Sequence, residues 1–471
     1  MKRFLILLFI FVILLSTTVR AHPWKPDHYV IIDTDCGFDD YRAINLMLSS
    51  SNIRVLAIIT SNGVVNAQDG YLKVKSLLKQ NYQEGILVGV NPNLTQIARN
   101  CDAALNFNWA ETMQNEINQV DYMDVLNQVF DNCTEQVTFT NMGGLNTIHS
   151  YLENNPIQIE KIKEIVWTCN QENLKGSFNF QLDTLSFNNI NNKKLKINYI
   201  NGDSFGAYTS ELIHKIGMDE SQLAKNIHRS LSISTSPFTK LIYDESAFFY
   251  LVHKQIFSKR SLENDIEYSL LEEVKLTSVY IDRIERIIKI QNQVLSDFPM
   301  DTSDYISDIQ IMMESTIKSY GKEEWAACVL TSELHRHLGV FSLIGAKMGV
   351  RAKEYFGAGN DELRIVSYAG LVPPFSCLND GLQVSTGATI GHGLISVNEN
   401  NRIPMADFYY MGRKITLSLK EEYRLQIAAE IKELSIICGL DSNIYWDLVR
   451  NLAIKYWANW DRHNIFEITE Q

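Results

Sequence analysis

The sequence predicts an α/β fold, a mostly parallel, Rossmann-like sheet with helices on both faces, followed by a smaller α+β C-terminal domain with helices at its end. Three observations carry this expectation. Short apolar runs alternate with stretches of helical spacing through the first half of the chain, the pattern of parallel strands joined by crossover helices. Polar residues stand at the carboxyl ends of several runs, where ligands bind in an open α/β sheet: Asn62, Asn141 or Asn146, and Asp203. A charged helical stretch then separates this half from a remainder with a different pattern, long enough for another domain.

The chain begins with a basic Lys2-Arg3 pair, an apolar run from Phe4 to Leu15 and a Val19-Arg20-Ala21 ending, which is the layout of a signal peptide over residues 1–21. The apolar run is short for a membrane span, and no cysteine follows it to carry a lipid. The mature protein is therefore expected to be exported, periplasmic or secreted, and free of the membrane after cleavage. The net charge of -12 over 471 residues argues against nucleic acid as a partner. The seven cysteines are scattered without a CxxC or a disulfide framework, although Cys101 and Cys133 could pair in an oxidising compartment.

The first strand, Val30-Ile31-Ile32, ends in Asp33, Asp35, Asp39 and Asp40, with Gly37 allowing a tight turn and helical spacing following from Ala43. Four carboxylates this close repel one another unless a cation neutralises them, and hard oxygen ligands suit Ca²⁺ or Mg²⁺ better than Zn²⁺. Helix capping accounts for one or two of these acids, but poorly for Asp33 and Asp35, which precede the turn. Further strands are expected at Arg54–Thr60, Ile86–Val90, Gln136–Met142, Lys163–Thr168 and Leu195–Ile200, with helices from Ala67 to Lys79, near Met123 to Phe130, after Gly144, and from Phe205 to Ile216.

The acidic turn, D-x-D-x-G-x-D-D after a strand, resembles the signature of the inosine-uridine-preferring nucleoside hydrolase family. The resemblance continues at Ser61-Asn62-Gly63, at Met142 to Ile148, at the segment around Asn179, and at Tyr243-Asp244. It implies a calcium ion held by Asp35, Asp40, Asp244 and the backbone carbonyl of Asn146, with Asp35 as general base toward water. It implies that Asp39, Asn62 and Asn179 hold the sugar hydroxyls of a small nucleoside or riboside substrate, while the N-glycosidic bond breaks and the sugar carries oxocarbenium-like charge. Two positions depart from the family pattern: its Glu is Ser177 here, and its His before the late Asp is Tyr243, one candidate for a leaving-group acid that the sequence does not identify. The calcium set is complete and the substrate set is not, so an altered substrate, or a sugar-binding protein without turnover, is the alternative expectation.

On this reading the hydrolase-like domain covers 22–256, a helical connecting region 257–321, with an apolar stripe at Ile281, Ile284, Ile287, Ile288 and Ile290, and the second domain 322–471. The second domain carries His335 and His337 before a helix, then Cys377 and His392 in Pro373 to Gly393. Histidine and cysteine suit zinc or another transition metal, although the spacing fits no standard finger. The patterns H-x-H-L and C-x-x-D-x-x-Q-x-x-T-G-x-T-x-G resemble the formylmethanofuran dehydrogenase E-like family, which implies a metal at His337 and Cys377, with His335 and His392 behind them. Leu425, Ile427, Ile431, Leu434 and Ile437 are expected on one face of a helical tail that packs on this domain, a homo-oligomer contact being the second reading.

Overall fold

The computed structural model describes residues 25–93, 101–114, 118–170, 173–191, 195–233, 237–261, 265–271, 275–281, 294–438 and 442–471. The signal segment and the stripe from Ile284 to Ile290 lie outside the described residues. Among the described residues no helix is long and apolar enough to cross a membrane.

Eight strands form the large sheet: β1 (His28–Thr34), β2 (Ile53–Ser61), β3 (Leu87–Asn91), β4 (Val137–Asn141), β5 (Ile162–Thr168), β6 (Ile197–Ile200), β7 (Phe257–Ser261) and β8 (Ile266–Leu270). Their order is β3-β2-β1-β4-β5-β6-β8-β7. All neighbours run parallel except the β7–β8 pair. Val30, Ile31 and Ile32 on β1 are completely buried, because both faces of a parallel sheet are covered. From β1 the chain moves outward to β2 and β3, then returns to place β4 on the other side of β1. That reversal opens a crevice beyond the carboxyl ends of β1 and β4, where the acidic turn sits.

The region 257–321 corrects the helical expectation. Its first part is the antiparallel β7–β8 pair at the sheet edge. Phe-Ser-Lys-Arg-Ser on β7 is exposed after its first residue, so an edge strand with charges on both faces carries little apolar alternation to read. The boundary also shifts. One apolar core on the large sheet reaches Tyr280, and the second domain's core begins at Phe298 rather than after Lys322. The helix Ser307–His335 runs across the expected boundary with a break at Gly321, whose φ is 86°.

The second domain wraps the helices Ser307–His335, Val340–Phe356 and Leu378–Thr386 against a sheet of β9 (Arg364–Ser367), β10 (Ile395–Val397), β11 (Met405–Tyr410), β12 (Arg413–Leu419) and β13 (Phe466–Glu470), in the order β10-β9-β11-β12-β13. The tail forms two helices, Glu421–Cys438 and Asn443–Asn459. The expected apolar face is only partly covered: Ile427 is buried, whereas Leu425 and Ile437 are exposed. Trp457 stacks on Trp325 in the core, their centroids 4.6 Å apart.

The second domain docks on the amino ends of the strands, opposite the acidic crevice. Arg54, at the start of β2, places Nε 2.8 Å from Glu362 Oε2 and donates from Nη2 to Oε1 at 3.0 Å. It also donates from Nη1 to the Gly357 carbonyl at 3.1 Å. Arg351 reaches Glu84 and the Tyr82 carbonyl, and Gly85 N–H donates to the Tyr355 carbonyl. Breaking a buried pair leaves one charge without a partner, so Arg54→Ala should cost about 3 kcal/mol or more of stability. Urea unfolding of the variant beside the wild type measures this.

Candidate active site

The turn after β1 gathers the acids, with one difference from expectation. Cys36, not Gly37, takes the left-handed backbone, at φ 66°. Gly37 is extended at φ -70° and serves close approach instead: a Cβ there would lie 2.8 Å from Asp39 Oδ1 and 2.9 Å from Asp40 Oδ2. Its N–H donates to Asp40 Oδ2 at 3.0 Å, and the Thr34 hydroxyl donates to Asp40 Oδ1 at 2.5 Å. Asp40 thus caps its helix and faces the cluster at the same time. Asp244 stands at the N-cap position of the helix Glu245–Val252 without capping it through its side chain, and the Thr168 hydroxyl at the end of β5 holds its Oδ1 at 2.5 Å.

Ligand oxygens of Asp39, Asp40 and Asp244 lie within 4.8 Å of one another. The sequence grouping had Asp35 in place of Asp39. Asp35 is buried beside them, with its Oδ2 accepting no hydrogen bond from the described protein atoms, a state that buried carboxylates rarely keep without a partner. Burial and then the charges of Asp40 and Asp39 push the Asp35 carboxyl well above the usual range. Burial, then Asp39 and Asp40, do the same to Asp244. Burial, then Asp39, brings Asp40 up to about 7. Asp33 also rises to about 7, through burial, against hydrogen bonds from Thr147 and Ser61. A set of oxygen ligands whose ionisation is penalised by its own repulsion, with one orphaned oxygen, fits a hard divalent cation.

Gly63 closes this wall. A Cβ there would lie 2.3 Å from Asp35 Oδ2 and 2.5 Å from Asp35 Cβ. Gly63→Ala should therefore displace the Asp35 carboxylate and lower kcat about 100-fold with the fold retained, checked by steady-state kinetics beside circular dichroism.

The remaining expected residues separate into groups. Asn146 opens the helix after β4, and its side-chain oxygen accepts from Asn91 at 3.0 Å. Asn62 spends its amide on protein partners, donating to the Pro92 carbonyl just after β3 at 2.6 Å and accepting from Ala67 N–H in its own loop at 2.7 Å. Asn179 donates to the Thr168 carbonyl at 2.8 Å and to its hydroxyl at 3.2 Å, so it steadies the threonine that holds Asp244. Thr34 and Thr168 were not singled out from sequence. The signal was their position, Thr34 between two motif aspartates and Thr168 at a strand's carboxyl end. The two family departures lie close together: the Ser177 hydroxyl bears on the Tyr243 phenol, and Cys169 Sγ lies 3.1 Å from Ser177 Oγ. Burial, then Cys169 and Asp203, raise the phenol and keep it neutral.

In the second domain, His335 Nδ1 lies 2.7 Å from Asp380 Oδ2, while its Nε2 is buried and unpartnered among the described atoms. The His337 ring is 4.2 Å from that of His335, centroid to centroid. Cys377 is half-buried, its thiol raised by burial and then Asp380. His392 lies apart, with Nδ1 3.1 Å from the Gly387 carbonyl and 3.4 Å from Asp361. Among the described residues these four do not converge as the three aspartates do. All seven cysteines are free, Cys101 exposed and Cys133 buried.

The family model of the inosine-uridine preferring nucleoside hydrolases matches residues 30–294, more than half of the chain. The chain belongs to this family. Its members are hydrolases of N-glycosyl bonds, and the hydrolase unit runs through the β7–β8 pair. A second model, FmdE of the molybdenum formylmethanofuran dehydrogenase operon, matches residues 334–435. Among solved structures the chain is similar to a plant nucleoside hydrolase at 16% identity and TM-score 0.48, covering 55% of this chain and 99% of that one. It is similar to a purine-preferring ribonucleoside hydrolase from Gardnerella vaginalis at 13% and 0.46, covering 55% and 98%. It is similar to an inosine-uridine preferring nucleoside hydrolase from Bacillus anthracis at 14% and 0.42, again covering 55% and 98%. No curated protein matches it.

Proposed function

We propose that this nucleoside hydrolase is an exported, calcium-dependent enzyme that cleaves the N-glycosidic bond of nucleosides or related N-ribosides, releasing base and sugar. The observation that carries the reading is the buried Asp35 carboxylate, unpartnered at Oδ2, beside the converging oxygens of Asp39, Asp40 and Asp244. Asp35, Asp40, Asp244 and the Asn146 carbonyl would hold the cation. When bound, it supplies the charge that keeps these acids ionised and lowers the pKa of water in the site. Asp35 accepts the proton of the attacking water as the water oxygen bonds the anomeric carbon and the carbon–nitrogen bond breaks. The carboxylates favour the positive charge that develops on the sugar. Asp39 would hold the sugar hydroxyls, and Asn62 and Asn179 would join it only by giving up the protein partners their amides hold here. The neutral Tyr243 phenol, on the residue before the late aspartate, is one candidate donor for the departing base. Ser177 and Tyr243 stand where the family has Glu and His, so the substrate is expected to differ from an ordinary ribonucleoside at the groups facing them. Release of reducing sugar from a nucleoside and N-riboside panel, with calcium and with EDTA, tests the reading. Binding without sugar release from any member would overturn it in favour of a sugar-binding protein.

Export predicts a mature amino terminus at His22, read by mass spectrometry of the secreted or periplasmic protein. For the second domain the proposal is a transition metal, zinc first, at His337 and Cys377, with His335 and His392 behind them; His335 carries Asp380 on one ring nitrogen and leaves Nε2 unpartnered among the described atoms. His335→Ala should remove equimolar metal, measured by elemental analysis. It should leave sugar release unchanged, because that domain docks on the opposite edge of the sheet.

A further inference from the structure

We propose that the buried Arg42–Glu245 pair is a positioning device that fixes the spacing between the two halves of the aspartate cage and thereby sets its cation affinity. The inference rests on the reading of that cage as a calcium site. One half, Asp39 and Asp40, rides on the helix Phe38–Leu48. The other, Asp244, comes from a segment about 200 residues later in the chain. No strand pairing aligns these two elements with each other. The two helices pack on each other in one core, and across that packing a buried ion pair ties Arg42, two residues after Asp40, to Glu245, the residue after Asp244.

Both side chains are completely buried. Arg42 Nε donates to Glu245 Oε1. Its Nη1 donates to the Thr239 carbonyl at 3.1 Å, and its Nη2 to the Leu241 carbonyl at 2.8 Å. The three nitrogens of one rigid guanidinium therefore grip a single short segment at three points, a geometry a lysine cannot reproduce. Glu245 in turn closes the cage residue's own turn, its Oε2 accepting the Tyr243 N–H at 3.2 Å. The Tyr208 hydroxyl donates to Oε1 at 2.9 Å and lies 2.7 Å from the Tyr280 hydroxyl.

Net stability is a weak reason for such a pair, since apolar side chains of similar size often serve as well in a core. Fixed geometry is the stronger one. Three carboxylates of like charge push apart, so a cage left to itself opens and must be closed at the expense of cation binding. A pair that holds the two helices together bears that repulsion before the cation arrives. Because the guanidinium nitrogens bond the 239–245 segment, Arg42 restrains the cage from behind and does not replace the cation within it.

Calorimetric titration of the full-length mature protein with calcium decides the matter, comparing wild type, Glu245→Gln, Arg42→Lys and, as an uncharged perturbation, Tyr208→Phe. Both variants of the pair, Glu245→Gln by lost charge and Arg42→Lys by lost geometry, should bind calcium about tenfold more weakly or worse, as removal of a ligand-supporting group does. Their kcat should return toward the wild-type value when calcium is raised in proportion. Tyr208→Phe should shift affinity in the same direction by a smaller factor, and it decides alone if the variants of the pair do not fold. Lower melting temperatures with unchanged calcium affinity would overturn the proposal, leaving the pair a structural one. Absence of calcium binding by the wild type would instead remove the cage reading beneath it.

Discussion

Asp35→Asn should lower kcat about 1,000-fold, in the range by which a positioned general base accelerates proton transfer, while KM changes little. The substitution keeps the size of the side chain and one oxygen ligand, and it removes the basic oxygen. In the structure that oxygen is already set apart. Asp35 Oδ2 is buried without a hydrogen bond among the described atoms, whereas Asp40 and Asp244 each receive a threonine hydroxyl. A carboxylate oxygen whose lone pairs are spent on protein donors is a poor proton acceptor, and Asp35 keeps one oxygen, Oδ2, free of any donor among the described atoms. Steady-state kinetics at saturating calcium check the expectation, with calorimetry to confirm that the variant still binds the ion. Activity within tenfold of wild type would place the base elsewhere.

The acidic turn was legible because its chemistry is local: Asp33, Asp35, Asp39 and Asp40 lie within one strand-to-turn segment, and their mutual repulsion demands an explanation before any fold is known. The parallel sheet was legible for a related reason, since strands buried on both faces read as continuous apolar runs. Asp244 could be joined to the turn only through the family resemblance. Nothing in its own neighbourhood marks it, and the partner that explains it, the Thr168 hydroxyl, comes from another strand. Asn62 shows the converse: an asparagine in the expected place has its amide consumed by Ala67 in its own loop and by Pro92 after the neighbouring strand. The β7–β8 pair was hidden because an edge strand needs no apolar alternation. The contact of Tyr243 with Ser177 was hidden because two departures read separately as losses become one structure only when the chain folds back on itself. The interface through Arg54 and Glu362 could not be read at all, since arginine at a strand's start is ordinary until a partner buries it.

Without calcium, the protein should be most stable at mildly acidic pH and lose stability as the pH rises from about 4 to about 7. The sign follows from Asp33 and Asp40, whose carboxyls titrate near 7 in the folded chain and near 3.8 when unfolded. In that window the folded state binds more protons than the unfolded one, so unfolding free energy falls with rising pH and levels off above it. His463, whose imidazole is raised by Asp461 and Glu354 against the effect of burial, adds a loss in the same direction at the upper end. Calcium separates the two contributions, because it competes with protons for the cage and not for His463. Its stabilising effect should be small at pH 5. At pH 8, with calcium a hundredfold above its dissociation constant, it should reach about 5 °C in Tm. Asp40→Asn should flatten the calcium-dependent part and leave the histidine part. Thermal melts across pH with EDTA and with calcium measure both, and a calcium shift that does not grow with pH would show that the buried aspartates are not where the ion binds.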